Sequence, residues 1–265
     1  MKKTKAGTSA VVEKKEKAIT QKPVAPLAVG QKGPQRGFEG GVDQEDLVIP
    51  RAKLIQALSP EMADKNIRKE FPDLQIGSIV NSLTKEPLGE EFIPIFMFKN
   101  YIRFNPRSKD DANFAENFEP GAIIWRSNDP LDPKVQAETK FGDNGEKPAA
   151  TTFLNFFCFF PTSPMPIIIS FSKTSYKAGK QLLSLAKFGG GDIFSRKYKL
   201  TSDMETNDIA TFAVLKVQAA GMTEPDQFAF CEKLWNEYAN KAKEIRVHDQ
   251  EKDATETDNA AERPY

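Results

Sequence analysis

Two apolar runs, residues 153–160 (FLNFFCFF) and 167–171 (IIISF), constrain this chain more than any other stretch. Each is short, β-branched or aromatic, and flanked by turn residues, the pattern of a strand buried on both faces. Only Asn155 interrupts the first run. The connecting residues 161–166 (PTSPMP) read as a turn, so the two runs are expected to pair antiparallel.

The chain then turns helical and basic. Thr174 or Ser175 is placed to N-cap a helix with apolar positions Tyr176, Leu182, Leu183, Leu185 and Ala186, and Gly189 to end it. Residues 193–200 alternate again as a strand. Between residues 171 and 199 the cations are Lys173, Lys177, Lys180, Lys187, Arg196, Lys197 and Lys199, against the single acid Asp192. Phe171, Tyr176, Phe188, Phe194 and Tyr198 lie among them. The three phenylalanines are expected in the core. Cations interleaved with tyrosines suit a single nucleic-acid strand, because phosphates need positive charge and unstacked bases need flat apolar faces. A second cluster, Lys99, Tyr101, Arg103, Phe104 and Arg107, has the same character, and Trp125 beside Arg126 is a further candidate for base stacking.

Elsewhere the pattern is mainly β. Residues 77–83 and 91–104 read as strands, the second long or broken at Pro94, and residues 105–150 as a long polar excursion holding one strand at 122–125. A strand over 209–219 follows. Thr223 is then expected to cap a C-terminal helix with Pro225 in its first turn and Phe228, Cys231, Leu234, Trp235, Tyr238, Ala242 and Ile245 on one stripe. A mid-chain helix between barrel strands is the plan of an OB-fold. The expected class is therefore α+β, mainly β: an OB-like antiparallel barrel over 43–222, a C-terminal helix over 223–247, and disordered tails at 1–42 and 248–265.

Charge sharpens this division. The 265 residues carry 37 cations and 37 Asp or Glu, yet the first tail is basic and the last acidic. Cys158 and Cys231 lie in apolar surroundings and read as small core residues in a reducing compartment. The start lacks an apolar secretory region, and no run reaches membrane-span length, so a soluble protein of the cell interior is expected.

Little enzymatic chemistry is on offer. The one histidine, His248, sits at the edge of the acidic tail, which argues against a zinc site or a histidine-based nucleophile. Gly179-Lys180 fails as a phosphate-binding loop, since Thr174 and Gln181 stand where Gly and Ser or Thr are required. Gly189-Gly190-Gly191 reads as a flexible connection. Asp110, Asp111, Glu116, Glu119, Asp129 and Asp132 are read as a solvated loop, with a metal nuclease as the rival.

The chain resembles the single-stranded DNA-binding proteins of bacteriophages. The resemblance rests on Gly41-Val42-Asp43 with residues 45–51 (EDLVIPR), on residues 171–180 (FSKTSYKAGK), and on Tyr198-Lys199-Leu200 leading into Asn207 and the following strand. It covers about residues 41–247. It implies an OB-fold, no catalysis, no cofactor or metal, and sequence-tolerant binding of single-stranded DNA in the cytoplasm of a bacterial host. It also implies an acidic C-terminal tail that recruits replication or recombination proteins, although this tail ends Arg263-Pro264-Tyr265 instead of in acids followed by Phe. The strand-contacting residues expected are Lys99, Tyr101, Arg103, Phe104, Arg107, Trp125, Lys173, Tyr176, Lys177, Lys180, Arg196, Lys197, Tyr198 and Lys199. Self-association is left open. The rivals are a strand-annealing recombination protein and a virion or scaffold protein.

Overall fold

The computed structural model describes residues 48–143, 145–206 and 210–242. Both expected disordered tails, His248, the start of the resemblance, and Asn207 with Ile209 lie outside them. The strands are β1 (Ala52–Leu54), β2 (Ile79–Asn81), β3 (Glu91–Phe104), β4 (Ile123–Ser127), β5 (Thr151–Phe159), β6 (Ile167–Phe171), β7 (Arg196–Thr206) and β8 (Thr211–Met222). The helices are α1 (Pro60–Ala63), α2 (Lys65–Glu70), α3 (Pro133–Glu138), α4 (Tyr176–Gly189) and α5 (Pro225–Tyr238).

The architecture is mainly antiparallel β with a mid-chain and a C-terminal helix. The main sheet has the order β6-β5-β3-β7-β8, with β4 also paired to β3, while β1 and β2 form a separate pair. The expected β5–β6 pairing is present, in the register Leu154↔Phe171 to Cys158↔Ile167. β3 runs unbroken through Pro94, and a register shift between Pro94 and Phe96 absorbs the proline.

The strands of the expected OB-like barrel do not form a closed ladder. Among the described strands, no pairing joins β6 to β8 at the two ends of the path. Instead the segment holding β1 touches both edges. The Ile168 N–H donates to the Pro50 carbonyl at 2.9 Å. The Gln56 amide Nε2 donates to the Ala213 carbonyl at 2.8 Å, and the Ala213 N–H donates to Gln56 Oε1 at 3.0 Å. A side-chain amide thus does for β8 what a neighbouring strand's peptide group would do.

β5 explains why two cores exist. Successive strand residues point to opposite faces, so Leu154, Phe156 and Cys158 join one cluster while Phe157 and Phe159 join another. Helix α4 covers the first face through Ala178, Leu182 and Ala186. Helix α5 covers the second through Cys231 and Leu234, with Phe230 4.9 Å from Phe159 and Tyr238 5.5 Å from Phe157. Full burial of each such phenylalanine is worth about 1.5–3 kcal/mol.

Asn155, the break in the apolar run, is fully buried, and both its amide nitrogen and its amide oxygen are hydrogen-bonded. Ser170 Oγ donates to Asn155 Oδ1 at 2.7 Å, Asn155 Nδ2 donates to Asn100 Oδ1, and Asn100 Nδ2 donates to Asn128 Oδ1 at 2.7 Å. This polar chain crosses from β6 through β5 to β3 and on past the end of β4. A one-residue slip of any strand would orphan it, so it pins the register.

Several boundaries differ from expectation. Residues 193–195 form a 3₁₀ turn before β7 begins. Glu224, not Thr223, precedes the first residue of α5; the Thr223 hydroxyl donates to the Phe194 carbonyl at 2.9 Å instead. The sequence over 67–74 reads as a loop or a single turn, whereas residues 65–70 form α2, whose N–H groups at Asn66 and Ile67 are capped by Asp64. The excursion carries α3 as well as its strand.

Candidate nucleic-acid interface

The strand register brings the two cationic clusters together. Lys99 of β3 pairs with Leu154, which pairs with Phe171, the residue that leads into the start of α4. Lys99, Tyr101 and Arg103 alternate along β3 and so face the α4 side of the sheet with Leu154. Tyr101 lies close enough to Tyr176 for their phenols to interact. Burial raises the Tyr101 phenol above its ordinary value, and Tyr176 and Asp129 push it further. The Lys180 ammonium stands 6.0 Å from the centre of the Tyr176 ring, within cation–π range.

The aromatic and arginine members of the β3 cluster are largely committed to the fold. Tyr101 is only 7% exposed, so its ring faces are closed to a base. Arg103 and Trp125 pair across β3 and β4 and share one carboxylate. Arg103 Nη1 is 3.0 Å from Glu138 Oε1, and Trp125 Nε1 donates to Glu138 Oε2 at 3.0 Å. Glu138 ends α3, so this clasp ties the long excursion to the sheet. Phe104 packs edge-on to Phe153 at 6.3 Å. Lys99 and Arg107 are exposed.

Helix α4 supplies a different surface. Ala178, Leu182 and Ala186 bury one side, while Lys177, Lys180, Ser184 and Lys187 stand on the other, three or four residues apart. Lys173, on the preceding 3₁₀ turn, continues that line. Steps of three and four keep these positions on one helical face. The result is a ridge of four lysines about 20 Å long at 1.5 Å per residue, without an acid between residues 173 and 191. None of the four makes a salt bridge to a described residue. Gly179 owes its place to packing: a Cβ there would lie 2.6 Å from the Phe171 Cβ, so glycine lets α4 settle onto β6.

The β7 cations form a separate group at the far end of α4. Lys197 lies 3.8 Å from Glu91 and 4.0 Å from Glu224, and Lys199 lies 3.9 Å from Glu90. Arg196 Nη2 donates to the Gly189 carbonyl at 2.6 Å. Tyr198 is 1% exposed and packs 5.9 Å from Phe92, so stacking on its ring is also set aside. The β3 cluster thus meets the start of α4 through Tyr101 and Tyr176, and the β7 cluster meets its end through Arg196 and Gly189.

Phe188 was misplaced by sequence reasoning, and so was Trp235, expected on the apolar stripe of α5 but 44% exposed. Phe171 and Phe194 are buried as expected, but Phe188 is 88% exposed. Helix phase carried the signal: Phe188 lies two residues past the buried Ala186, about 200° round the helix. In the acidic loop, Asp111 Oδ1 accepts from the Asn113 N–H at 2.9 Å and Asp132 Oδ1 from the Lys134 N–H at 2.9 Å, the bonds of a turn and a helix cap. Among the described residues no three His, Cys, Asp or Glu side chains are grouped to hold a metal ion. No described helix is long and apolar enough to cross a membrane.

A family model described as Pam3 phage gp34-like protein matches residues 14–244. No curated protein and no solved structure matches the chain.

Proposed function

The chain belongs to the Pam3 phage gp34-like protein family, and from that premise we propose that it binds single-stranded DNA without sequence preference and without catalysis, in support of phage DNA replication or recombination. The observation that carries this reading is the acid-free lysine ridge of α4, Lys173, Lys177, Lys180 and Lys187, with Lys99 and the half-buried Tyr176 at its start. Unpaired lysines in line offer phosphates a track, and the positive end of the α4 dipole adds to the field where Lys173 and Lys177 stand. Tyr176, stiffened by Lys180 above its ring, is the ring in this group left for a base. The order of β3, β5 and β6, then α4, then β7 and β8 supports an OB-like reading, since such barrels are partly open.

Fluorescence anisotropy with labelled single- and double-stranded oligonucleotides across a salt series tests this. The expected result is preference for the single strand and a log–log salt slope of roughly −3.5, from five lysine–phosphate contacts at about 0.7 each. Equal affinity for both forms, or no length-dependent binding, overturns it and favours a virion or scaffold role. Accelerated duplex formation between complementary strands would instead mark an annealing protein.

A further inference from the structure

An exposed phenylalanine by itself is ordinary, but Phe188 stands at the rim of a hollow. That hollow, of ≈ 350 Å³, is lined by Leu185, Phe188, Gly189, Arg196, Tyr198 and Ala219, among others. Its size is at the low end for ligand sites, room for one ring system and little more. Three observations give it a chemical character. First, Tyr198 in its wall is 1% exposed, and its hydroxyl has no hydrogen-bond partner. A buried hydroxyl left unpaired is costly, and such groups call for an explanation. Second, Arg196 lines the same hollow as Tyr198: burial raises the Tyr198 phenol while the Arg196 charge pulls it back. The guanidinium is fixed by its bond to the Gly189 carbonyl, and a Cβ on Gly189 would lie 2.6 Å from Arg196 Nε. Glycine at the helix end is thus what lets the arginine lie there. Third, Gly190 and Gly191 both take positive φ, 74° and 77°, and turn the chain away directly after the ring. The lysine ridge runs up to this point at Lys187.

We propose that this hollow takes one unpaired base of a strand lying along α4, stacked on the Phe188 ring with Arg196 and the Tyr198 hydroxyl at its polar edge. The inference rests on the single-strand reading above and adds a base site about 20 Å along the ridge from Tyr176. Every base has a π-face, so the site is sequence-tolerant.

The test is single-strand binding by the full-length chain and its Phe188→Ala and Phe188→Trp variants across a salt series. Phe188→Ala is expected to weaken binding roughly 5- to 150-fold with the salt slope unchanged, because a ring is lost and no charge. Phe188→Trp should bind at least as well as the parent. Because the ring is exposed, both variants should melt with the parent protein, which excludes a folding defect. If Phe188→Ala binds like the parent while lysine variants of α4 are weakened, the base site is wrong and the single-strand reading survives. If Phe188→Ala weakens binding but alters the salt slope, the ring acted through the cations and the base site is again wrong. If the parent binds no strand, both readings fall.

Discussion

Helices α4 and α5 are each fourteen residues long and lie on opposite faces of the same strands, yet their charges obey different rules. Helix α5 has Asp226 in its first turn, where the helix dipole favours an acid, and over its length carries three acids and one lysine. Helix α4 has no acid at all and puts Lys177 in its first turn against the dipole. Packing cannot account for the difference, since each helix buries its own apolar stripe in its own core. The charges of α5 fit what the fold asks of a helix, whereas those of α4 work against it at its start. Within a chain of zero formal net charge, that sets the three lysines and no acid of α4 against the three acids and one lysine of α5 on opposite faces of the sheet. A polyanion is attracted to the first set and repelled by the second.

If both helices rest equally on the sheet, its two faces belong to one cooperative core. Phe156 and Phe157 are adjacent, both fully buried, and serve the α4 and α5 faces respectively. Phe156→Ala and Phe157→Ala should each cost about 3–5 kcal/mol in urea unfolding. A cost confined to one of them would mean that only one helix belongs to the cooperative core. The second test concerns charge. Replacing Lys177, Lys180 and Lys187 by Gln should reduce the salt slope of strand binding by about 2 and the affinity about a hundredfold at 0.1 M salt. Replacing Glu232 and Glu237 of α5 by Gln should leave the slope alone. Equal responses would erase the distinction between the two sides.

The smallest effect is a pH dependence on the α5 face. Burial pushes the Cys231 thiol up to about 12, whereas a thiol in the unfolded chain ionises near 8.5. The folded state therefore holds its proton longer. The stability it contributes is complete below about pH 8.5 and is lost as pH rises toward about 12. Unfolding free energies of the parent and Cys231→Ala, compared between pH 8 and 10, should converge by about 2 kcal/mol. Parallel curves would mean that α5 lifts from the sheet and exposes the thiol.

How much of this was legible follows from the range of each signal. The β5–β6 pair, the span of α4 and the long β3 were readable because their patterns are local and strongly apolar or periodic. The excursion's α3 was not, because a six-residue helix in a polar stretch has no periodicity to detect. Nor was the Arg103–Glu138–Trp125 clasp, which joins residues far apart in sequence. The same holds for Lys197 and Lys199, whose glutamates reach them from the start of β3 and, for Lys197, also from Glu224 just before α5.

By itself the sequence determined the doubly buried strand pair and the acid-free lysine run of α4, since apolar alternation and helical spacing are properties of neighbouring residues. It also marked Asn155 as the one break in the first apolar run. Only the tertiary structure decided which cations stay unpaired, which tyrosines sink into the core, and that Phe188 stands at the rim of a hollow. Those outcomes depend on which distant element a strand or helix packs against, and on one open gap between β6 and β8 that residues 50–56 span, with the Pro50 carbonyl on β6 and the Gln56 side chain on β8. Burial is a property of the whole assembly, and charge becomes a binding surface only where the assembly leaves it without a partner.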